Sequence, residues 1–218
     1  MWQASHAERM CPPPRVEVCP ARTQLIRQGS LVPVVYRVER GAVKLSRVTP
    51  SGREIILDLR LPGAFIGAES AFLAELSPES ATSLTAVRLC CWLAGEFVEQ
   101  FERDGQFCLS VTMFLCQRVR HSHRRMAGLG LDSARQRLED FLGVIAESPL
   151  SREAAGGEIP IPMKCLEVAE FLCVTPFHVS RLWNELEEVG LVRRAKGRVF
   201  VRLAGAATAI VRRAASGQ

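Results

Sequence analysis

Residues 175–192 read TPFHVSRLWNELEEVGLV, and this stretch decides which fold the chain adopts. Thr175 is a favoured residue type for the cap that precedes a helix, and Pro176 is a favoured first helical residue. Apolar residues then recur at helical spacing and predict one buried face: Val179, Leu182, Trp183, Leu186 and Val189. At 100° per residue, the opposite face carries Phe177, Arg181, Asn184 and Glu188, with His178 and Ser180 beside them. An amphipathic helix with a polar outer face is therefore predicted.

A shorter helix is predicted just before it, in MKCLEVAEFLC (163–173). Its apolar positions have i, i+3, i+4, i+7 spacing and predict one buried stripe: Cys165, Val168, Ala169 and Leu172. Cys173 and Val174 then form a tight turn. After the second helix, GLVRRAKGRVFVRL (190–203) predicts two short strands around Lys196-Gly197. Helix, turn, helix and basic hairpin together predict a winged helix-turn-helix, whose second helix enters a DNA major groove. The alternative is a packed three-helix core that never contacts DNA.

The charge distribution agrees with a polyanionic partner for this last part of the chain. The net charge of +5 over 218 residues is modest. From Met163 onward, however, nine basic residues face five acidic ones, so about +4 of that charge lies there. No apolar run approaches the ~20 residues that a bilayer span needs. We expect a cytoplasmic protein without a membrane partner.

Residues 16–102 are rich in short β-branched runs separated by turn residues. Alternation in VYRVERGAVKLSRV (35–48) and REIILDLRL (53–61), with TPSG between them, predicts a hairpin. The repeated spacing favours a small antiparallel barrel or sandwich. The N-terminal half is therefore predicted to be a β domain.

A long helix is predicted from Asp104, in DGQFCLSVTMFLCQRVRHSHRRMAG (104–128). Its apolar stripe consists of Phe107, Val111, Phe114, Leu115, Val119 and Met126. A long apolar stripe needs a partner, and a second copy of the same helix predicts a two-fold dimer; packing within one chain is the alternative. Gly128 and Gly130 are expected to end the helix, and a further helix over 133–145 is expected to follow an Asp132 cap. SPLSREAAGGEIPIP (148–162) is predicted to be a loop and linker.

These elements in this order resemble the Crp/Fnr superfamily of transcriptional regulators. The likeness rests on RQGS (27–30), VYRVERGAVKL (35–45), SGREIILDLRLPGAFIG (51–67), the long helix and VTPFHVSRLWNELEEVGLV (174–192). It implies an α+β fold: an N-terminal antiparallel β-barrel of the cyclic-nucleotide-binding-like jelly-roll type, a dimerisation helix and a C-terminal winged helix-turn-helix. The predicted bounds are 1–15 for an N-terminal arm, 16–103 for the sensor barrel, 104–130 for the dimerisation helix and 131–218 for the DNA-binding domain. A homodimer on a palindromic promoter, in contact with RNA polymerase, is implied as well.

The resemblance also assigns DNA-binding residues. The recognition helix of the family commonly carries the pattern E-x-x-S-R, which Ser180 and Arg181 match and in which Phe177 replaces the glutamate. Arg181 is accordingly expected to bind guanine, and Ser180, His178 and Phe177 to face bases. Phosphate contacts are expected from Thr175, Lys196 and Arg198. The phenyl ring of Phe177 either packs on a thymine methyl group or folds back against the wing or the first helix.

Cyclic AMP is not expected as the effector. The resemblance implies that cyclic-nucleotide domains hold the cyclic phosphate with a helix led by Gly-Glu and an arginine about ten residues later, since a helix N-terminus and a guanidinium both favour an anion. The corresponding segment, GAESAFLAELSPESATS (67–83), has no Arg or Lys. It places Ala68 where glutamate is expected, and Glu75 and Glu79 would repel a phosphate. The candidate effector pocket in this segment consists of Gly67, Glu69, Ser80 and Thr82.

Other effectors that the resemblance suggests remain open. An iron–sulfur cluster could use Cys90, but only Cys11 and Cys19 precede the barrel, and four thiolates are hard to assemble. Haem could use His121, His123, Cys108 or Cys116. Thiol oxidation of Cys108 or Cys116 and the absence of any ligand are further alternatives, and no metal site is predicted.

No catalytic motif is found, so the chain is not expected to be an enzyme. It lacks a phosphate loop, GxGxxG, HExxH and GxSxG, and its four histidines are not paired in sequence with a nucleophile and an acid. A redox-, iron–sulfur- or haem-dependent regulator of the same fold is one alternative function. The other alternative is a ligand-binding barrel that contacts protein instead of DNA. A DNA-binding dimer should lose affinity for duplex DNA steeply as salt rises, whereas a protein-binding module should not bind the duplex.

Overall fold

The computed structural model describes residues 14–203, so almost all of the predicted N-terminal arm (1–15), and Cys11 with it, lies outside the described residues. The chain divides into two compact units after Ser122. The strands of the first unit are β1 (Arg15–Cys19), β2 (Gln24–Ile26), β3 (Val34–Arg40), β4 (Val43–Val48), β5 (Glu54–Arg60), β6 (Phe65–Ile66), β7 (Ser80–Ser83) and β8 (Val87–Leu93). Its helices are α1 (Ala68–Leu73), α2 (Ala94–Arg103) and the first part of α3 (Gly105–Leu131).

The first unit contains two four-stranded antiparallel sheets, with strand orders β1-β8-β3-β6 and β2-β7-β4-β5. Apolar residues of both sheets share one core, including Val38 and Leu89 from one sheet and Val43 and Leu45 from the other. The predicted hairpin is confirmed: β4 pairs with β5 across residues 49–52. The sheets do not close into a barrel, so this unit is a sandwich of the predicted jelly-roll type.

Gly41 lets the chain cross from β3 in one sheet to β4 in the other. Its φ of +85° is accessible to glycine at little cost, and a Cβ atom there would lie 2.3 Å from the carbonyl oxygen of Ala86. Any other residue would therefore force β3 and β4 away from the segment before β8.

A second cluster packs outside the β1-β8-β3-β6 sheet and uses the start of α3. Phe107 and Val111 are buried in it, and Phe114 and Leu115 pack against it. The ring centroid of Phe107 lies 5.4 Å from that of Phe97 in α2. Phe107 and Val111 were predicted to face a second copy of the chain, but they are buried in their own sensor unit, as the alternative of packing within one chain requires. Phe114 and Leu115 are only partly buried, and their contact with a second copy stays a prediction.

The remaining predicted stripe residues of α3, Val119 and Met126, are 54% and 60% exposed. A different apolar face is open on the opposite side of the helix, where Leu109, Met113 and Cys116 are exposed. Gly128 and Gly130 do not end the helix, because α3 continues to Leu131. A single glycine is tolerated within a helix at a cost of about 1 kcal/mol.

The second unit consists of the end of α3, three further helices and one small sheet. The helices are α4 (Ala134–Glu147), α5 (Cys165–Leu172) and α6 (Pro176–Glu188). The strands are β9 (Glu158–Pro160), β10 (Val192–Ala195) and β11 (Arg198–Arg202), which form an antiparallel sheet in the order β10-β11-β9. The predicted helix-turn-helix and its hairpin are present.

Two details of this unit differ from the prediction. The cap of α4 is Ser133 rather than Asp132: its side chain accepts a hydrogen bond from Gln136 N, and the Gln136 side chain accepts one from Ser133 N. The segment 148–162 is more than a linker. It contains two 3-10 turns (Pro149–Glu153 and Ala155–Gly157) and β9, whose Ile159 is 1% exposed. Alternation over three residues was too short a signal to show a strand.

Candidate nucleic-acid interface and sensor pocket

The turn between α5 and α6 presents the start of α6 to solvent. Cys173 ends α5 with a φ of +56°, and Thr175 then caps α6 by accepting a hydrogen bond from His178 N at 3.3 Å. Pro176 occupies the first turn, where its missing N–H costs nothing. The predicted cap and helix start are confirmed.

One side of α6 is buried and the other is open. Val179, Leu182, Trp183 and Leu186 are buried as predicted, whereas Val189 is 59% exposed because α6 ends at Glu188. The predicted DNA-facing residues of this segment are all exposed: Thr175, Phe177, His178, Ser180 and Arg181. Phe177 is 75% exposed, so its ring does not fold back on the protein.

The outer face of α6 offers a free guanidinium. Within residues 14–203, no hydrogen bond or ion pair engages the Arg181 side chain. Ser180 Oγ lies 3.7 Å from Cys165 Sγ, a weak contact that joins the starts of α5 and α6. A free guanidinium on a helix that is packed by its other face can donate two parallel hydrogen bonds to an acceptor pair.

The hairpin after α6 has a two-residue turn at Lys196 and Gly197, whose φ values of +49° and +73° fit a type I′ turn. Lys196 and Arg198 are exposed at its tip. The other three wing arginines have acidic partners: Arg193 and Arg202 share Glu158, and Arg194 pairs with Glu187. Hydrogen bonds from Arg193 hold the pKa of Glu158 below its ordinary value, and those from Arg194 do the same for Glu187. The free positive charge is thus concentrated at the tip.

A cavity of about 210 Å³ lies in the first unit, beside the start of α1. Its apolar walls are Ile26, Leu45, Ile66, Pro78 and Ala81. Its polar lining consists of Gly67, Glu69, Ser70, Ser77, Glu79 and Arg118. Gly67 is required here because its φ is +84° and a Cβ would lie 2.7 Å from Val32 Cγ1.

Of the predicted effector-pocket residues, the structure brings Gly67 and Glu69 to the cavity but not Ser80 or Thr82. Successive residues of a strand face opposite sides, and Ala81 is the residue of β7 that faces inward. Ser80 Oγ instead accepts a hydrogen bond from Gln28 N at 3.0 Å. Arg118 was missed, because it comes from α3, outside the segment 67–83.

Arg118 joins the two carboxylates of the cavity. Its Nη1 donates to Glu69 Oε1, and its Nη2 donates to Glu79 Oε1 at 3.1 Å. A second guanidinium, that of Arg60, is 3% exposed and lies 3.8 Å from Glu69 and 3.4 Å from Asp58. Burial raises the pKa of Glu79 to about 7; Arg60 opposes the shift, and Glu69 and Asp58 add to it. Carboxylates outnumber arginines in this cluster.

The cavity does not fit a cyclic phosphate. Glu69 and Glu79 direct their carboxylates to the guanidinium that a phosphate would need, and α1 offers a phosphate no free arginine. A bound anion would have to displace two partly buried carboxylates from Arg118. The residues that line the cavity therefore do not fit a cyclic nucleotide.

The iron–sulfur alternative meets a similar difficulty. Cys90 is 2% exposed, and its Sγ donates a hydrogen bond to Glu39 Oε1 at 2.9 Å. Burial, with help from Glu39, raises the pKa of Cys90 to about 12, whereas a cluster ligand must be a thiolate. Among the proposed haem ligands, His121 Nε2 lies 3.8 Å from Asp58 Oδ1, and His123 and Cys116 are exposed. Haem ligation stays a prediction.

Comparison with known proteins agrees with this architecture. Residues 16–104 match the family model of the cyclic nucleotide-binding domain. The nitrogen fixation regulation protein FixK of Bradyrhizobium diazoefficiens is 28% identical over 157 residues, which are 72% of this chain and 65% of that relative. The match thus spans slightly less than two thirds of FixK.

Two solved structures share the fold. FixK2 from Bradyrhizobium japonicum has a TM-score of 0.73 at 21% identity, over 87% of this chain and 92% of that one. A CRP/FNR-family transcriptional regulator from Thermus thermophilus has a TM-score of 0.71 at 23% identity, over 89% and 97%. At these identities the likeness shows the fold alone.

The fold and the site thus define a cyclic nucleotide-binding domain followed by a winged helix-turn-helix. The chain is similar to transcriptional regulators of the Crp/Fnr type, in agreement with the resemblance found in the sequence. These relatives are regulators rather than enzymes, in agreement with the prediction that the chain is not an enzyme. Within residues 14–203, no helix has the length and hydrophobicity that a membrane span requires.

Proposed function

We propose that this chain is a transcriptional regulator that binds a palindromic DNA site as a homodimer. The observation that carries the proposal is the outer face of α6, where Arg181 is exposed beside a capped helix start. The opposite face of the same helix is buried in the second unit. A helix held in this way by a preceding helix and turn can enter a major groove with its N-terminal residues against base edges.

Each exposed residue of α6 has a role in this proposal. Arg181 donates two hydrogen bonds to guanine O6 and N7, and Ser180 and His178 contact neighbouring base edges. The Phe177 ring packs on a thymine methyl group, since it can neither donate nor accept a hydrogen bond. The Thr175 hydroxyl accepts from His178 N and still has its proton to donate to a phosphate.

The wing supplies phosphate contacts through Lys196 and Arg198. Both are exposed, and within the described part of the chain no acidic partner engages either side chain. Arg193, Arg194 and Arg202 are less suitable because each is paired with a glutamate. Phosphate contacts fix the position of the protein on the duplex without reading its sequence.

The dimer interface that we propose uses the exposed apolar face of α3, formed by Leu109, Met113 and Cys116 and flanked by Val119 and Met126. Leu109 and Met113 are 54% and 53% exposed. These residues recur at intervals of three and four, the spacing at which a helix packs along a second helix. The interface therefore replaces the part of the predicted stripe formed by Phe107 and Val111.

We propose further that cyclic AMP is not the effector, because Glu69 and Glu79 engage the arginine of the cavity. RNA polymerase is the second macromolecular partner in this proposal, since a transcriptional regulator acts by changing how polymerase uses a promoter. DNA binding and contact with RNA polymerase both take place in the cytoplasm, so the proposal includes a cytoplasmic location.

Selection from a random duplex library with the ligand-free, reduced protein tests the central proposal. We expect a palindromic consensus, and on the selected site Arg181→Ala should lose about 1–3 kcal/mol of binding free energy and relax one position per half-site. Arg103→Ala is the matched control, because Arg103 is exposed in α2 and pairs only locally with Glu99. If no sequence is enriched and the affinity for duplex DNA does not change with salt concentration, the alternative is favoured in which the barrel module contacts protein instead of DNA.

A further inference from the structure

We infer that Glu69 and Glu79 in the wall of the sensor cavity form a guanidinium site that Arg118 of the same chain fills, and that Arg118 is a positioning residue for DNA binding. The second half of this inference rests on the proposed function. In this inference no outside ligand binds the cavity, and the contacts of Arg118 with Glu69 and Glu79 replace those of a bound effector.

The first argument is the set of contacts around Arg118. Its guanidinium bridges Glu69 in α1 and Glu79, the residue before β7. The Arg118 side chain is 21% exposed, and those of Glu69 and Glu79 are 34% and 16% exposed, so the cluster is partly buried and Glu69 is its most exposed member. Burial raises the pKa of Glu79 to about 7, and a glutamate can accept the hydrogen bond from Arg118 in either protonation state. The geometry of the bridge therefore carries the argument, and the strength of an ion pair does not.

The second argument is the support behind Glu69. Arg60 is almost fully buried in β5, and its guanidinium lies 3.8 Å from Glu69 and 5.1 Å from the centre of the Phe114 ring. Phe114 lies on α3 and packs against the core of the sensor unit. Glu69 is thus held between two arginines, and the wall of the cavity is prepared for a cation before any ligand arrives.

The third argument comes from the other end of α3. Arg125, seven residues after Arg118, lies with its guanidinium 3.9 Å from the centre of the Phe171 ring. Its Nη2 donates to the carbonyl oxygen of Phe171 at 2.6 Å. Phe171 belongs to the last turn of α5, immediately before the turn that leads into α6. One continuous helix therefore has one arginine anchored in the sensor cavity and another anchored on the helix-turn-helix.

A mechanism follows from these anchors. Arg118 fixes the middle of α3 to the sensor unit without an outside ligand. The ligand-free protein is then the DNA-binding form. Removal of the Arg118 guanidinium should release the middle of α3 from α1 and β7 and should weaken DNA binding.

The test measures affinity for the selected DNA site by fluorescence anisotropy, with wild type, Arg118→Ala, Arg118→Lys and Arg124→Ala. Arg124 is an exposed arginine of the same helix and controls for loss of charge. We expect about tenfold weaker binding for Arg118→Ala, intermediate binding for Arg118→Lys and unchanged binding for Arg124→Ala. Millimolar methylguanidinium should restore binding of Arg118→Ala, whereas equal tetramethylammonium should not, because only the former can donate to both carboxylates.

Two results distinguish the possible failures. If the wild type binds its palindrome and folded Arg118→Ala, checked by circular dichroism, binds equally well, the inference is overturned and the proposed function stands. If a general loss of stability explains the defect, methylguanidinium will not restore affinity at a temperature where the variant is folded, which overturns the positioning role. Failure of the wild type to bind any duplex would overturn both.

Discussion

Phe177 is the residue at which this recognition helix departs most from the family pattern. Its ring is 75% exposed at the open end of α6. A side chain that exposes this much apolar surface gains from contact with an apolar group, and thymine C5-methyl is the main one in the major groove. Glutamate at the same place would instead accept a hydrogen bond from cytosine N4.

Replacement of Phe177 by glutamate should therefore change the preferred base pair at one position of each half-site. We expect a thymine-containing pair for the wild type and a cytosine-containing pair for Phe177→Glu, with the other positions unchanged. Parallel library selections with both proteins measure the change. An identical consensus would show that Phe177 does not contact a base.

Thr175 gives a prediction about stability. Loss of a threonine cap costs roughly 1 kcal/mol, because the N–H of His178 loses its acceptor. Thr175→Ala should lower the free energy of unfolding by about that amount in urea titration, and Thr175→Ser, which keeps the hydroxyl, should lower it much less. Equal losses in the two variants would exclude the hydrogen bond as the cause.

At the residue scale, the sequence predicted what depends on neighbours in the chain. The Thr175 cap, Pro176 in the first turn and the exposure of Arg181 all follow from local spacing. The sensor cavity does not, because Arg118 comes from a different element than Glu69 and Glu79. The absence of arginine from 67–83 led to the prediction that no cyclic phosphate binds, which stays a prediction, and no local pattern could show that Arg118 pairs with the glutamates of that segment.

Among the elements, α3 was predicted correctly as a helix, but part of its predicted dimer stripe packs within the chain. The stripe was assigned from helical spacing, and two of its residues, Phe107 and Phe114, contact aromatic rings of their own sensor unit. They are used by the aromatic cluster around Phe65 and Trp92, because large rings stabilise the outside of a thin sheet. The opposite face carries smaller and more mixed residues, which gave a weaker signal.

Met113→Glu tests the exposed face. A carboxylate in the middle of an apolar interface is destabilising in each protomer, so sedimentation equilibrium should show a shift from dimer to monomer of at least tenfold in the dissociation constant. Leu31→Glu is the matched control, since Leu31 is 73% exposed in the loop after β2. A dimer unaffected by Met113→Glu would place the interface elsewhere.

For the whole molecule, ion pairing limits which cations are available to DNA. Three wing arginines are paired with Glu158 and Glu187, which leaves Arg181, Lys196 and Arg198 as the free cations of the proposed interface. Lys196→Ala should therefore reduce the steepness of log affinity against log salt by about 2 for a dimer, one phosphate contact per protomer. Arg103→Ala should leave the slope unchanged, and an unchanged slope for Lys196→Ala would remove the wing tip from the interface.

The buried acids of the sensor unit predict a pH dependence of stability. The pKa of Glu79 is about 7 in the folded protein, against an ordinary value of 4.5. The folded state therefore holds a proton that the unfolded state releases, and the contribution is fully present below pH 4.5 and lost as pH rises through 7. The loss is at most about 3 kcal/mol.

Urea titrations between pH 4.5 and pH 7.5 measure this effect. Glu79→Gln, which can still accept a hydrogen bond from Arg118, should lack this part of the decline. Parallel pH profiles for the two proteins would show that Glu79 is not the group responsible.

The contacts of Arg125 and Arg137 determine where the DNA-binding part can be separated from the chain. These arginines donate to the carbonyl oxygens of Phe171 and Leu172, which end the first helix of the helix-turn-helix. A fragment that starts at residue 131, the boundary predicted from the sequence, keeps Arg137 but removes Arg125 and uncovers the Phe171 ring. A fragment that starts at His123, where the second unit begins, keeps both. A fragment that contains only the helix-turn-helix motif would therefore lack Arg125, which donates to the carbonyl oxygen of Phe171 just before the turn. The smallest fragment that keeps this contact is longer than the motif.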